Sequence, residues 1–144
     1  MSNKQLKLKI ITPEKTIIEE MVDQVTLPTT EGEITILPGH IALVSALKSG
    51  DIVAKKNGED IPMAVVGGFI EIKNDEVAVL ADFAEHVSEL SDDVIQKAKA
   101  RAEELQKMKA NGEVVDFEHF EAELERSLTR AKVADKWRSK KYRI

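Results

Sequence analysis

From Leu6 the chain alternates. Leu6, Leu8 and Ile10 are apolar, and Lys7 and Lys9 between them are charged. That period of two describes a half-buried strand with its lysines outward. Further β-type runs follow: TIIEE, DQVTLP, EITIL, IALVSAL, DIVAKK, IPMAVV, GFIEIK and EVAVLA. Turn signals separate them at Pro13, Pro28, Pro38-Gly39, Ser49-Gly50, Asn57-Gly58, Gly67-Gly68 and Asn74-Asp75. Asn57-Gly58 between two such runs is the strongest hairpin signal, because Asn and Gly suit a turn that needs positive φ at both central residues. Many short, regularly spaced strands predict an antiparallel sandwich or barrel over residues 1–86.

The period changes after that. From Ser88 the chain is rich in Ala, Glu, Lys, Leu and Gln, all good helix formers. Ser91 before Asp92 and Asp93 reads as a helix start, with acids where the helix dipole favours them. Val94, Ala98, Ala102, Leu105 and Met108 form an apolar stripe at helical spacing. Asn111-Gly112 ends that helix. Asp116 caps a second, whose expected stripe is Phe117, Phe120, Leu124, Leu128 and Ala131. A short link makes the two helices antiparallel neighbours. Their apolar faces are narrow and alanine-rich, so residues 87–144 read as a marginal, mobile hairpin.

With 144 residues, the chain can bury a core without metal or disulfide staples. It has no cysteine, which excludes disulfides, thiolate zinc sites and cysteine nucleophiles. MSNKQLKLKI has no apolar run and no transit-peptide character, and no stretch approaches the ~18 apolar residues of a membrane span. A bacterial-type cytoplasm is the expected compartment. The net charge of −5 conceals an asymmetry. From Arg126 onward there are eight basic residues against Asp135 alone. Such an end suits an acidic protein, a nucleic acid or a membrane surface, although an acidic chain argues against general nucleic-acid binding.

Candidate chemistry is thin. Glu31 and Glu33 share a face if both lie in a strand, and a carboxylate pair can supply acid and base; an acidic turn edge gives the same pattern. Gly32 stands alone and no helix opens after Gly67-Gly68, so neither makes a phosphate cradle. His40, His86 and His119 are scattered, without the converging ligands a metal needs. No serine sits in a nucleophile elbow. The residues describe a binding or mechanical part, not an enzyme. Arg126, Arg130 and Lys132 to Arg138 recur at roughly helical spacing, giving either a solvated helix end or a basic face for an acidic loop. Trp137 and Tyr142 could anchor such a contact or pack inward.

EGEITILPGH (31–40), ALVSALKSGDI (42–52) and VVGGFIEIKNDEVAVLADFAE (65–85), with PEK at 13–15 and the appended hairpin, resemble the ε-subunit family of bacterial F-type ATP synthases. The likeness runs the length of the chain. It implies a β-sandwich of about ten antiparallel strands (1–86) and a two-helix antiparallel hairpin (87–144), with no catalysis and no cofactor of its own. The implied role is a central-stalk rotor subunit at the cytoplasmic face of the bacterial membrane, attached only through the complex. Its sandwich would bind the γ subunit and the c-ring, and its hairpin would block ATP hydrolysis at the β and α subunits. The resemblance puts the ring-facing loop on Glu31, Gly32, Glu33, Pro38, Gly39 and His40, and the inhibitory cations on Arg126, Arg130, Lys132, Lys136 and Arg138.

Two departures from the family pattern stand out. Thr35 replaces the usual glycine of GILPGH; Thr favours strands and resists positive φ, so regular β conformation is expected there. Some relatives bind ATP through Ile/Leu-Asp-x-x-Arg-Ala at the first helix start. Here Leu90 fits, but Ser91, Val94 and Ile95 replace the Asp, Arg and Ala, while Arg101, Arg126 and Arg130 match supporting arginines. Losing two polar partners at ~1.5–3 kcal/mol each predicts ATP binding weakened ~100-fold or more. The other readings are a free-standing adaptor with an acidic partner and a carboxylate hydrolase using Glu31 and Glu33.

Overall fold

The computed structural model describes residues 4–114 and 116–141, with the backbone alone for 139–141. Two compact units divide between His86 and Val87.

The first unit contains β1 (Leu6–Ile11), β2 (Thr16–Val22), β3 (Gln24–Thr29), β4 (Gly32–Ile36), β5 (Leu43–Ala46), β6 (Gly50–Lys56), β7 (Glu59–Lys73) and β8 (Glu76–His86). They form one hydrogen-bonded sheet in the order β2-β1-β8-β7-β6-β3-β4, with β5 paired to β7. The sheet folds over to make a sandwich. Leu6, Leu8 and Ile10 of β1 are fully buried, as are Val25 and Leu27 of β3 and Ile70 of β7. The alternation read from the sequence thus sorts core from surface. Among the described residues there are eight strands, because two of the nine predicted runs, IPMAVV and GFIEIK, belong to the single long strand β7. Its first half pairs β6 and its second half pairs β5, while β8 accompanies both.

The bend that allows this lies at Gly67 and Gly68, whose φ values are +61° and +115°. A Cβ on Gly68 would stand 1.9 Å from the Leu80 carbonyl oxygen, and one on Gly67 would meet Asp82. Only glycine combines that φ with so close a backbone approach. The sheet is also mixed, not wholly antiparallel. β1 runs parallel to β8, from Lys7 opposite Glu76 to Ile11 opposite Leu80. The physical reason is connectivity: parallel neighbours need a long connection, and here six strands intervene.

Two-residue turns close β6–β7 at Asn57-Gly58 and β7–β8 at Asn74-Asp75, all four residues at positive φ. Leu37-Pro38-Gly39-His40 is a turn closed by the His40 N–H on the Leu37 carbonyl at 3.2 Å. Its Gly39, at φ +86°, donates its N–H to Asp75 Oδ1 at 2.7 Å. Thr35 lies in regular β conformation opposite Thr26, and their hydroxyls are 3.0 Å apart.

The second unit opens with a short 3-10 turn at Val87–Glu89, followed by α1 (Asp92–Ala110) and α2 (Phe117–Lys141). Ser91 caps α1 by accepting the Val94 N–H at 3.3 Å. The helix ends with the Glu113 N–H on Met108 and the Gly112 N–H on Lys109, the paired bonds of a glycine-terminated C-cap. Asp116 accepts the His119 N–H at the start of α2. The buried stripe of α1 is Ile95, Ala98, Ala102 and Leu105, with Val94 half-buried. On α2 the stripe shifts. Phe117 and Leu128 are exposed, while Phe120, Leu124, Ser127 and Ala134 are buried. Spacing by four and three continues the stripe, with a serine buried where leucine was expected.

Gly68→Ala should lower the urea-measured stability of the full chain by more than ~2 kcal/mol. Gly58→Ala, also at positive φ but open to solvent, should cost only the ~1–2 kcal/mol of a left-handed residue.

Candidate functional site

The sequence singles out the stretch around β4, and the structure divides it. Glu31 sits in the turn between β3 and β4, not in a strand. That turn is held by Thr29, whose hydroxyl donates to the Gly32 carbonyl at 2.5 Å and accepts the Glu31 N–H at 3.2 Å. Gly32, at φ +120°, opens β4, and Glu33 follows inside it. Glu31 and Glu33 are both exposed. They therefore do not share a strand face, and no buried environment pushes two carboxylates toward acid and base roles.

Pro38, Gly39 and His40 lie beyond the other end of β4. The five-residue strand at ~3.4 Å per residue separates the two turns by roughly 17 Å. The six residues fall in two separate places at the ends of β4, the edge strand of the sheet, not in one loop. The first is tied to β5 by the Thr30 N–H on the Ala46 carbonyl. The second is tied to the β7–β8 turn through Asp75. His40 Nδ1 lies 2.7 Å from the carbonyl of Ile41. Among the described residues no group of three or more His, Asp or Glu side chains is placed to hold a metal ion.

A second surface escaped the sequence reading. On the outer face of the sheet, Ala46, Phe69, Leu80 and Ile11 stand opposite one another across β5, β7, β8 and β1. Phe69 is 62% exposed and Leu80 58%. Val44 continues the row on β5, and exposed Ile41 and Leu37 lie in the adjoining loop. A cavity of about 440 Å³ lined by Ile11, Pro13, Gly68, Phe69, Leu80 and Asp82 opens beside the row. The signal was present as parity. Phe69 shares its face with Glu71 and Lys73, where alternation calls for a polar residue. Contiguous exposed apolar surface is characteristic of interaction sites, whether for a protein, a membrane or a ligand.

The basic end of α2 does not stand as an undivided free face. Arg138 is ion-paired with Asp92 at the start of α1. Lys132 and Lys136 are exposed, Lys136 lying 5.8 Å from the Trp137 ring centroid. Arg126 is exposed and Arg130 half-buried, and both have partners within the chain. Trp137 lines a second cavity of about 430 Å³ with Leu90, Ser91, Asp92, Ile95 and Arg138. Tyr142 lies outside the described residues.

Arg101 is engaged by two acids. Its Nε donates to Glu123 Oε1 at 2.5 Å, its Nη2 to Glu123 Oε2 at 3.2 Å, and its Nη1 pairs Glu104 at 3.1 Å. These bonds raise the arginine pKa and hold the Glu123 carboxyl below the usual carboxylate range. Leu90, Arg101, Arg126 and Arg130 do not line one described cavity together.

Comparison with known proteins places these features. The family described as "ATP synthase, Delta/Epsilon chain, beta-sandwich domain" matches residues 5–87. The ATP synthase epsilon chain of Desulforamulus reducens is 39% identical over 92% of this chain and 98% of that protein. That of Nitratidesulfovibrio vulgaris is 42% identical over 90% and 96%. A chain in the cryo-EM structure of Euglena gracilis mitochondrial ATP synthase, OSCP/F1/c-ring, shares the fold with a TM-score of 0.63 at 21% identity, covering 96% of this chain and 82% of that one.

Because the Glu123 carboxyl is depressed only in the folded pair, its stabilisation is full above the ordinary glutamate range near 4.3 and is lost as pH falls through the lowered value. Acid titration of helical circular dichroism should show this loss, and Glu123→Gln should remove that component while lowering helicity at pH 7.

Proposed function

The chain belongs to the ATP synthase delta/epsilon family, and we propose that it is a non-catalytic rotor subunit that couples ring rotation to the catalytic head and restrains ATP hydrolysis through its hairpin. The exposed apolar row of Phe69, Leu80 and Val44 is the observation that carries this reading. A sandwich whose core is complete within residues 6–84 needs no such surface for its own stability. It suits a large apolar partner face, here assigned to the γ subunit. The polar turns at Glu31–Glu33 and Pro38–His40 are assigned to the c-ring side. Opposite charge would bring Arg126, Arg130, Lys132, Lys136 and Arg138 to acidic loops of the β and α subunits. Among the described residues no helix is long and apolar enough to cross a membrane, so membrane attachment in this reading comes from the assembled complex.

The hairpin is read as a mechanical device without a nucleotide. Arg101, one of the supporting arginines for ATP in some relatives, already satisfies Glu123 and Glu104. A nucleotide phosphate would have to displace both carboxylates. Val94 supplies no arginine beside it.

Truncation after Glu89 should leave a folded sandwich that still binds γ and should raise ATP hydrolysis by the reconstituted head; unchanged hydrolysis would end the inhibitory half of the reading. In the same fragment, Phe69→Glu should weaken γ binding at least about tenfold, a loss of ~1.4 kcal/mol, with unfolding by urea nearly unaltered. Calorimetry with ATP and the isolated full-length chain should show no submicromolar site.

A further inference from the structure

The two-residue turns of the sandwich differ at their second position. The β6–β7 turn is Asn57-Gly58 and the β7–β8 turn is Asn74-Asp75, with all four residues at positive φ. Glycine is favoured at that second position, because a side chain resists left-handed backbone. Asp75, at φ +60°, therefore keeps a side chain where the turn itself asks for none. Departures of that kind are expected where the side chain has another use. The contacts of Asp75 show one. Its carbonyl accepts the Lys7 N–H at 2.9 Å, where the parallel ladder of β1 and β8 begins. That bond and the turn fix its backbone. Its side chain, on a half-buried residue, reaches a segment 36 residues earlier, and Oδ1 accepts the Gly39 N–H at 2.7 Å.

The turn that receives this bond is loosely held within itself. Residues 37–42 lie in no strand, and Leu37, Gly39 and Ile41 are exposed. The His40 N–H meets the Leu37 carbonyl at 3.2 Å, the long end of the usual range. A hydrogen bond to a carboxylate is shorter and roughly twice as strong as a neutral one. We propose that Asp75 is a positioning residue for the c-ring side of the protein: its carboxylate, anchored to the β1–β8 ladder, holds Pro38-Gly39-His40 in the shape that meets the ring. A turn ordered beforehand loses less entropy on binding. The turn at Glu31–Glu33 is tied separately, through the Thr29 hydroxyl and through the Thr30 N–H on the Ala46 carbonyl. The use at the ring rests on the assignment of these turns made above. The tie between Asp75 and Gly39 does not, because it belongs to the isolated chain.

Two variants separate the carboxylate from the turn. Asp75→Gly keeps the positive φ and removes the acceptor. Asp75→Asn keeps an Oδ1 acceptor on a residue that tolerates the left-handed region. In the full-length chain, amide hydrogen exchange followed by NMR should be about three- to tenfold faster at Gly39 in Asp75→Gly. Exchange at Thr30 should be unchanged, Asp75→Asn should stay close to wild type, and urea unfolding of both should be nearly unaltered. The head complex carrying γ and each variant would then be titrated onto purified, detergent-solubilised c-ring. Asp75→Gly should weaken ring binding by a similar factor and Asp75→Asn should restore most of it, with γ binding the same in both. His40→Trp, which crowds the surface of the turn, tests the assignment itself and should weaken ring binding. Gly39 exchange indifferent to Asp75→Gly overturns the tie. Ring binding weakened by His40→Trp but not by Asp75→Gly overturns the positioning role. Ring binding indifferent to His40→Trp overturns the c-ring assignment and the positioning role with it, while Gly39 exchange still decides the tie.

Discussion

The backbone of β7 crosses from one layer of the sandwich to the other at a point where no side chain fits. At Gly68 the approach to the Leu80 carbonyl leaves 1.9 Å for a Cβ, and Gly67 turns beside Asp82. Because the bend is tight, the hydrogen-bond register of β7 with β8 is the same on both sides of it, from Met63–His86 to Lys73–Glu76. One pair of long strands can then serve both layers. β6 is built on the first half of β7 and β5 on the second. The core between the layers, and the alignment of Phe69 with Leu80 on the outer face, both follow from that single crossing.

Much of this was legible from residue order. Period-two alternation located every strand, Asn57-Gly58 and Asn74-Asp75 marked their turns, and Ser91, Gly112 and Asp116 bounded the helices. Thr35 was correctly placed in regular strand by its β-branched side chain. What escaped was non-local. Nothing in LKLKI says that β1 pairs β8 in parallel, since register across seventy residues is a tertiary choice. Two predicted runs merged into β7 because a glycine pair reads as a break when it is a bend. The α2 stripe slipped because leucine was weighed above serine, whereas Ser127 is the buried residue and Leu128 the exposed one. Within 31–40 the EITIL run was read as a strand, and β4 there holds the two flanking turns apart. The apolar row could have been found by asking which strand residues have the wrong polarity for their parity.

The two units rely on different physics. The sandwich buries fully enclosed Leu, Ile and Val side chains on both layers, and its cohesion is chiefly apolar and insensitive to salt. The hairpin packs Ile95, Leu105, Phe120 and Leu124 between its helices, flanked by partly exposed charges.

The parallel ladder between β1 and β8 also orders events during synthesis. The β1 segment with fully buried Leu6, Leu8 and Ile10 has its antiparallel neighbour β2 at once, but its other edge waits for residues 76–80. Until those leave the ribosome, an apolar strand with one open edge is exposed to whatever else offers a backbone. Contacts this distant in sequence also slow folding. The newly made sandwich thus closes only when its last strand arrives, just ahead of the helices, and its first strand is the segment that a chaperone would need to shield longest.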